Sequence, residues 1–193
     1  MPLGRFGAAC AVAIVVTGPA WAQTLADPAT FLTREALEAH MSDSAFCYYP
    51  SDRLSCAWAE LYTELNDDHA ILHSANASAD GPMQVIEFRV DWRDNGLCVD
   101  YDTQGLIAAR EADGNRFPFD LSGLEEITPE ALEELLVLIR DNSTPDSCFY
   151  YSEDPITPGQ LRQHAFYGGV QQEGFDPVAL IPSFASGVSM NPG

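Results

Sequence analysis

Cysteines are the residues whose types and spacing most directly define a chemistry. Of the five in the chain, Cys10 lies in a predicted signal peptide, and its cleavage leaves Cys47, Cys56, Cys98 and Cys148. No two of them form a Cys-x-x-Cys pair, so thioredoxin-like redox chemistry is not expected. The 8, 41 and 49 residues between consecutive members match no zinc-ligand spacing. An even number of cysteines in an exported chain instead predicts two disulfides, for which three pairings exist. We expect Cys47–Cys56 and Cys98–Cys148, because of where the predicted strands place them.

The segment from Asp100 to Glu111 carries oxygen ligands at a calcium-binding spacing. Asp100 and Asp102 stand at positions 1 and 3, Gly105 at the turn position 6, and Glu111 at position 12. In these twelve residues the chain resembles the calcium loop of EF-hand proteins, which implies a calcium ion held by Asp100, Asp102, Gln104 and Glu111. The segment departs from that pattern because Gln104 is a neutral ligand and the flanks do not read as helices. A β-hairpin that turns inside the segment is the alternative.

The histidines offer weaker signals for catalysis or metal binding. His69 and His73 share a face and follow two aspartates, which is zinc-ligand chemistry without the HExxH spacing. Two half-exposed strand histidines are the alternative interpretation. His164 reads as part of a short helical segment, and the chain has no G-x-S-x-G nucleophile signature. The sequence therefore contains no recognisable catalytic set.

The positions of these residues depend on a β-rich central region. Residues 86–92 alternate apolar and charged side chains, which predicts a half-buried strand. Asn95-Gly96 follows, a dipeptide typical of a two-residue hairpin turn. A turn there places Trp92 opposite Val99, an apolar pair, and leaves Cys98 on the other face.

Two further segments complete a predicted meander. Residues 70–77 read as a strand, whereas residues 54–65 fit either a helix or a strand, and we favour the strand. The result is a four-stranded antiparallel meander from residue 55 to residue 102. In this arrangement Cys47 and Cys56 lie close to each other across one short turn.

Two segments with nearly the same pattern predict helices, since residues 32–38 recur as residues 127–133. Each has a threonine, Thr33 or Thr128, as its N-cap and a carboxylate in its first turn. A cysteine with aromatic neighbours follows each helix, so a helix–strand unit is used twice, through duplication or through convergence. The second unit brings Cys148, which we expect to lie against Cys98.

These elements together predict an α+β fold: an antiparallel β-meander with two or three helices packed on it and stapled by disulfides. Residues 1–22 read as a signal peptide, with Arg5 in the n-region, a short apolar run and the cleavage site Ala20-Trp21-Ala22. Residues 23–193 then form a single α+β domain. We expect it to be periplasmic or secreted.

The charge excludes several classes of partner. The chain has 9 Lys+Arg, all of them arginine, against 29 Asp+Glu, and its net charge is −20. Nucleic acids and anionic membrane surfaces are therefore not expected partners. The lack of lysine excludes a P-loop and Schiff-base chemistry. The acids either aid solubility or meet a basic partner.

The sequence predicts an exported binding or envelope-associated module without catalysis. Its aromatic and acidic surface would meet a protein or glycan ligand, with no membrane insertion after signal cleavage and no cofactor other than calcium. Two alternatives stay open. One is a periplasmic hydrolase of a cell-wall or small ester substrate, with carboxylates or His164 as catalysts. The other is a calcium-dependent module centred on residues 100–111.

Overall fold

The computed structural model describes residues 25–51, 55–76, 83–99, 105–112, 114, 116–144, 146–182, 185 and 187–190. The predicted signal peptide lies outside these residues, so its assignment stays a prediction. Within the described ranges, no helix has the length and apolar character needed to cross a membrane.

The described chain is mostly β. It has two α-helices, α1 (Arg34–Asp43) and α2 (Pro129–Asn142), and two short 3-10 turns at Pro28–Thr30 and Leu121–Gly123. The strands are β1 (Ser44–Tyr48), β2 (Ser55–Cys56), β3 (Trp58–Thr63), β4 (His69–Asn76), β5 (Met83–Arg93), β6 (Gly96–Val99), β7 (Leu106–Ala112), β8 (Arg116–Phe117), β9 (Glu125–Glu126), β10 (Ser147–Glu153), β11 (Gln160–Tyr167), β12 (Val170–Gln171), β13 (Asp176–Pro182) and β14 (Val188–Met190).

Eight of these strands close into an antiparallel barrel. Their order is β4-β3-β1-β13-β11-β10-β6-β5, and β5 pairs back onto β4. Closure pairs both edges of the sheet, which an open meander would leave with free N–H and C=O groups. The predicted meander with helices packed on it is therefore wrong. Strands β3 to β6 do follow one another as expected, but they form half of a closed barrel.

The barrel interior is one apolar cluster, and α1 covers one end of it. Alternate residues of each strand point inward, so that Phe46 and Tyr48 of β1 and Phe88 of β5 belong to the same buried cluster. Leu37 and Met41 of α1 are fully buried in the same cluster. Thr33 caps the helix by accepting from the N–H of Ala36, as predicted. Because α1 runs directly into β1, this end of the barrel is fixed by a covalent connection.

A second apolar cluster lies outside the barrel wall. The short strands β2, β14 and β8 form a three-stranded sheet. Phe117, Val188 and Met190 from this sheet pack against outward-facing residues of the barrel, including Ala179 and Ile181 of β13. The wall formed by β1, β3 and β13 is therefore buried on both faces.

Both predicted disulfides are present. Cys47–Cys56 joins β1 to β2, and Cys98–Cys148 joins β6 to β10. Cys98 and Cys148 are direct partners in the antiparallel register, with Cα atoms 4.0 Å apart. The Cys98–Cys148 disulfide therefore links the neighbouring strands β6 and β10, where the two halves of the barrel meet.

Two local predictions differ from the structure. The hairpin turns at Asp94–Asn95 and pairs Trp92 with Leu97, two residues from the predicted partner Val99. A shift of two residues preserves the face of every side chain, so Cys98 still points outward. Gly96 is the first residue of β6 and does not belong to the turn. It is buried, because the ring of Tyr150 lies where a Cβ atom of this residue would be.

The second helix also differs from its prediction. None of the described side chains of α2 is buried, and Leu136, Val137 and Leu138 are exposed. The helix packs mainly on β7, which is itself outside the barrel. The helical spacing of Leu132, Leu135, Leu136 and Ile139 predicts a buried face, but this face is only half covered.

Candidate functional site

The barrel encloses a cavity of about 310 Å³ in the half away from α1. The strand β1 leaves α1 at Ser44, and its last residue Tyr48 pairs with Trp58, which lines the cavity. The walls are largely aromatic, with Trp58, Phe88, Phe149 and Tyr167 contributing rings. This volume lies at the lower end of the roughly 300–1,000 Å³ range of small-molecule sites.

The polar floor of the cavity is built around Glu60, which is 9% exposed. Tyr48 and Tyr62 each donate an O–H bond of 2.6 Å to its Oε2 atom. Gln163 donates from Nε2 to the hydroxyl oxygens of Tyr48 and Tyr151, at 2.7 Å in each case. Four barrel strands (β1, β3, β10 and β11) therefore hold one hydrogen-bonded network.

The network leaves one carboxylate oxygen available. Oε1 of Glu60 accepts no hydrogen bond from the described residues, yet it is not among the fully buried polar atoms without a partner. Glu60 itself lines the cavity. A ligand in the cavity would meet this oxygen.

Burial sets the protonation of this network. Removal from water raises the pKa of Glu60, while the hydrogen bonds from Tyr48 and Tyr62 oppose the rise and the charge of Asp176 adds to it. Burial and the nearby Glu60 raise the pKa of Tyr48, Tyr62 and Tyr151 far beyond neutral pH. The tyrosines therefore stay protonated as donors, and Glu60 is the group that can exchange its proton.

A second carboxyl group stands at the mouth of the cavity. Asp176, the first residue of β13, lines the cavity and accepts a hydrogen bond from the hydroxyl of Tyr49. That bond, followed by burial, raises the pKa of Tyr49 to about 12. Trp58 stacks on Tyr48 with ring centroids 4.7 Å apart and also contacts Tyr49. The mouth is thus acidic and aromatic.

A separate groove of about 810 Å³ runs along the outer face of β10 and β11. In it the hydroxyl of Ser152 lies 2.9 Å from Nε2 of His164. Arg162 pairs with Asp154 at 3.0 Å, and its guanidinium group covers the ring of Phe175. Burial, followed by the charge of Arg162, lowers the pKa of His164, so its imidazole is neutral at pH 7. The predicted helical segment around His164 is wrong, since this residue belongs to β11.

A polar cluster occupies the outer faces of β3, β4, β5 and β7. Nε2 of His73 forms a hydrogen bond of 2.9 Å with the hydroxyl of Thr63, and its Nδ1 lies 3.5 Å from Oε2 of Glu87. Arg110 forms a 2.6 Å ion pair with Glu87. Burial lowers the pKa of His73. In the part of the chain that the structure describes, no group of three or more ligating side chains is arranged to hold a metal ion.

The predicted calcium ligands fall mostly outside the described residues. Asp100, Asp102 and Gln104 are among those not described, and Glu111 is an exposed residue of strand β7. Calcium binding by this segment therefore stays a prediction. His69 and His73 lie on the same outward face of β4, as expected, but only His73 is buried.

No known protein family, no curated protein and no solved structure matches this chain. Its closed barrel, its acidic aromatic cavity and the groove on its outer face therefore have to be interpreted from their own chemistry.

Sequence reasoning missed Glu60 as a site residue. The alternation of Trp58, Glu60 and Tyr62 places a carboxylate on a strand face that is otherwise aromatic. That is a recognisable signal, because an acid on an apolar face is buried only at a cost that needs an explanation. Identifying its partner Tyr48, and the Tyr151 and Gln163 side chains that extend the network, required the closed barrel, since they come from distant parts of the chain.

Proposed function

We propose that this protein is an exported binding protein without catalysis, whose barrel holds a small organic molecule in its cavity. The observation that carries the proposal is the preformed polar floor under aromatic walls: Glu60 is already fixed by tyrosine donors, with one oxygen left for a ligand. Closed barrels of eight strands are wide enough to hold one small ligand. Sites of this kind are mostly apolar, with a few convergent polar groups.

Export to the periplasm or the medium is part of the same proposal. Two disulfides are typical of proteins that fold in an oxidising compartment. The predicted signal peptide at residues 1–22 supports the same destination. Such a protein would capture its ligand outside the cytoplasm, where the chain's 29 acidic residues keep it soluble.

The test is a thermal-shift titration with three compounds of similar shape: 2-phenylethylamine, 2-phenylethanol and 3-phenylpropionate. At least one should raise the melting temperature, because a ligand that binds only the folded state stabilises it, by about 2.7 kcal/mol at 100 times Kd. Ser74→Phe, which fills the cavity from β4, should abolish that shift. Arg89→Phe, at an exposed position on the outward face of β5, is the matched control.

The proposal fails if Ser74→Phe keeps a wild-type response to every compound that stabilises the protein. In that case the ligands bind elsewhere. It also fails if no compound of the three raises the melting temperature at millimolar concentration.

A second candidate function is hydrolysis in the outer groove. The hydrogen bond between Ser152 and His164 is the pairing of a nucleophile with a general base, in a groove large enough for a substrate. Against it, Nδ1 of His164 has no partner in the described chain to orient the ring, and Ser152 is buried. The test is hydrolysis of p-nitrophenyl acetate. Ser152→Ala should abolish it, and Ser147→Ala, a buried serine of the same strand, should not.

A further inference from the structure

We infer that the ligand of the barrel cavity is a small organic cation, with an amine or quaternary ammonium group attached to an apolar body. This inference rests on the proposed function, because it assigns a chemical class to the occupant of the same cavity. The arguments come from charge, from the aromatic walls and from the direction of the hydrogen bonds at Glu60.

The charge balance of the cavity is one-sided. Glu60 and Asp176 both line it, and none of its described lining residues is lysine, arginine or histidine. The described ion pairs place arginines on other acids, as in Arg34–Glu38, Arg89–Asp91, Arg93–Asp146, Arg110–Glu87 and Arg162–Asp154. A buried carboxylate without a counter-ion costs free energy, which a cationic ligand would recover.

The walls suit a cation as well as an apolar body. Trp58, Phe88, Phe149 and Tyr167 surround the space above Glu60. Aromatic faces attract ammonium groups through their quadrupoles, and this attraction is strongest when the pair is shielded from water. An anionic ligand would meet two carboxyl groups and the same electron-rich faces, so it is disfavoured.

The hydrogen bonds favour the ionised form of Glu60. Two tyrosine hydroxyls donate to the same oxygen, Oε2, which is the arrangement that stabilises a carboxylate. The free Oε1 can then accept from an N–H group or lie beside a quaternary ammonium. A neutral carbonyl compound would instead need a protonated Glu60 that donates to it.

This difference makes the pH dependence informative. The titratable groups that face Glu60 are Tyr48 from β1, Tyr62 from β3, Tyr151 from β10 and Asp176 from β13. The tyrosines stay protonated over the accessible range, so Glu60 is the member of this network that ionises. Binding of phenyltrimethylammonium, whose charge is permanent, should strengthen as the pH rises through the raised pKa of Glu60.

The experiment measures binding of 2-phenylethylamine, 2-phenylethanol and 3-phenylpropionate by calorimetry at neutral pH. The amine should bind at least about tenfold more tightly than the alcohol, and the carboxylate most weakly. Glu60→Gln should weaken the amine about tenfold or more and leave the alcohol within about twofold, because only the charge is lost. Glu125→Gln, an exposed acid with the same change of net charge, is the matched control.

Several outcomes overturn the inference. If the alcohol binds in the cavity as tightly as the amine, the cavity binds small molecules without selecting cations. The proposed function then stands, but the cation inference is wrong. Loss of phenyltrimethylammonium binding as the pH rises would also contradict the cation inference and leave the proposed function intact. If no compound binds, both proposals fall. Should Glu60→Gln not fold, as judged by its melting curve, Asp176→Asn provides the second charge removal, with a smaller expected loss for the amine only.

Discussion

The carboxyl group of Glu60 is the most unusual single residue in this barrel. Burial raises its pKa, so the folded state holds the proton more tightly than the unfolded chain does. The stability that this proton contributes is complete below the unfolded pKa of about 4.3 and is lost as the pH rises through the folded pKa. Ionisation of Glu60 in the folded protein is therefore opposed by its burial and lowers the stability.

Glu60→Gln should consequently raise the free energy of unfolding at pH 7 and have little effect below pH 4. The amide can still accept from Tyr48 and Tyr62, so the network keeps its geometry. Urea denaturation at several pH values checks this, and the difference between the two proteins isolates Glu60 from the other acids. A variant less stable than wild type at neutral pH would show that the tyrosine bonds outweigh the burial cost.

Among single residues, the disulfide pairing could be predicted from the sequence, whereas the role of Glu60 could not. The cysteine pairing followed from strand faces, because a side chain's face is fixed by a period of two. Glu60 was one of 29 acidic residues, and its segment fitted a helix as well as a strand. Only the hydrogen bonds from Tyr48 and Tyr62, in a network completed by side chains of β10 and β11, distinguish it from a solvated acid.

At the scale of elements, the two helices have the same start and different roles. Thr33 and Thr128 cap them with the same bond, and each helix runs on toward a strand of the barrel. Capping is local and was predictable from sequence. The element that each helix packs against was not predictable. An apolar stripe indicates that one face of a helix can be buried, but it does not identify the element that covers this face.

The two helices should therefore contribute different amounts to the free energy of unfolding. Leu37 of α1 is fully buried in the barrel cluster, so Leu37→Ala should cost about 2–5 kcal/mol through lost contacts and a cavity. Leu135 of α2 is only partly buried, and Leu135→Ala should cost less than about 1 kcal/mol. Chemical denaturation of both variants provides the comparison. Equal losses would mean that α2 is covered in solution by something the described chain does not supply.

The disulfides give a second comparison between elements. Cys98–Cys148 closes a separation of 50 residues and Cys47–Cys56 one of 9. On the chain-entropy account the longer loop contributes about 4 kcal/mol and the shorter about 3 kcal/mol. Cys98→Ala and Cys148→Ala should destabilise equally, and the double variant should be no worse than either alone. Additive losses, or peptide mapping that joins Cys98 to Cys47, would contradict this pairing.

At the scale of the whole molecule, closure of the barrel is the feature that sequence patterns could not reveal. The strands β3 to β6 are neighbours in sequence, and their pairing follows from hairpins. The pairing of β1 with β13 joins the first and last strands of the barrel, which are distant in sequence, as where Phe46 pairs with Leu180. Alternating apolar residues predict each strand equally well in an open sheet and in a barrel. The cavity exists only because the sheet closes.

The net charge of −20 makes the last prediction a property of the whole molecule. A negative field attracts cations toward the acidic mouth and raises the association rate of a cationic ligand. Salt screens this field over a Debye length of about 8 Å at physiological ionic strength. Stopped-flow tryptophan fluorescence, to which Trp58 in the cavity contributes, should therefore show that salt slows association of phenyltrimethylammonium and leaves its dissociation nearly unchanged. The neutral 2-phenylethanol, measured in the same way, should be insensitive. If salt affects neither ligand but raises the melting temperature by screening self-repulsion, the acids serve solubility and do not steer the ligand.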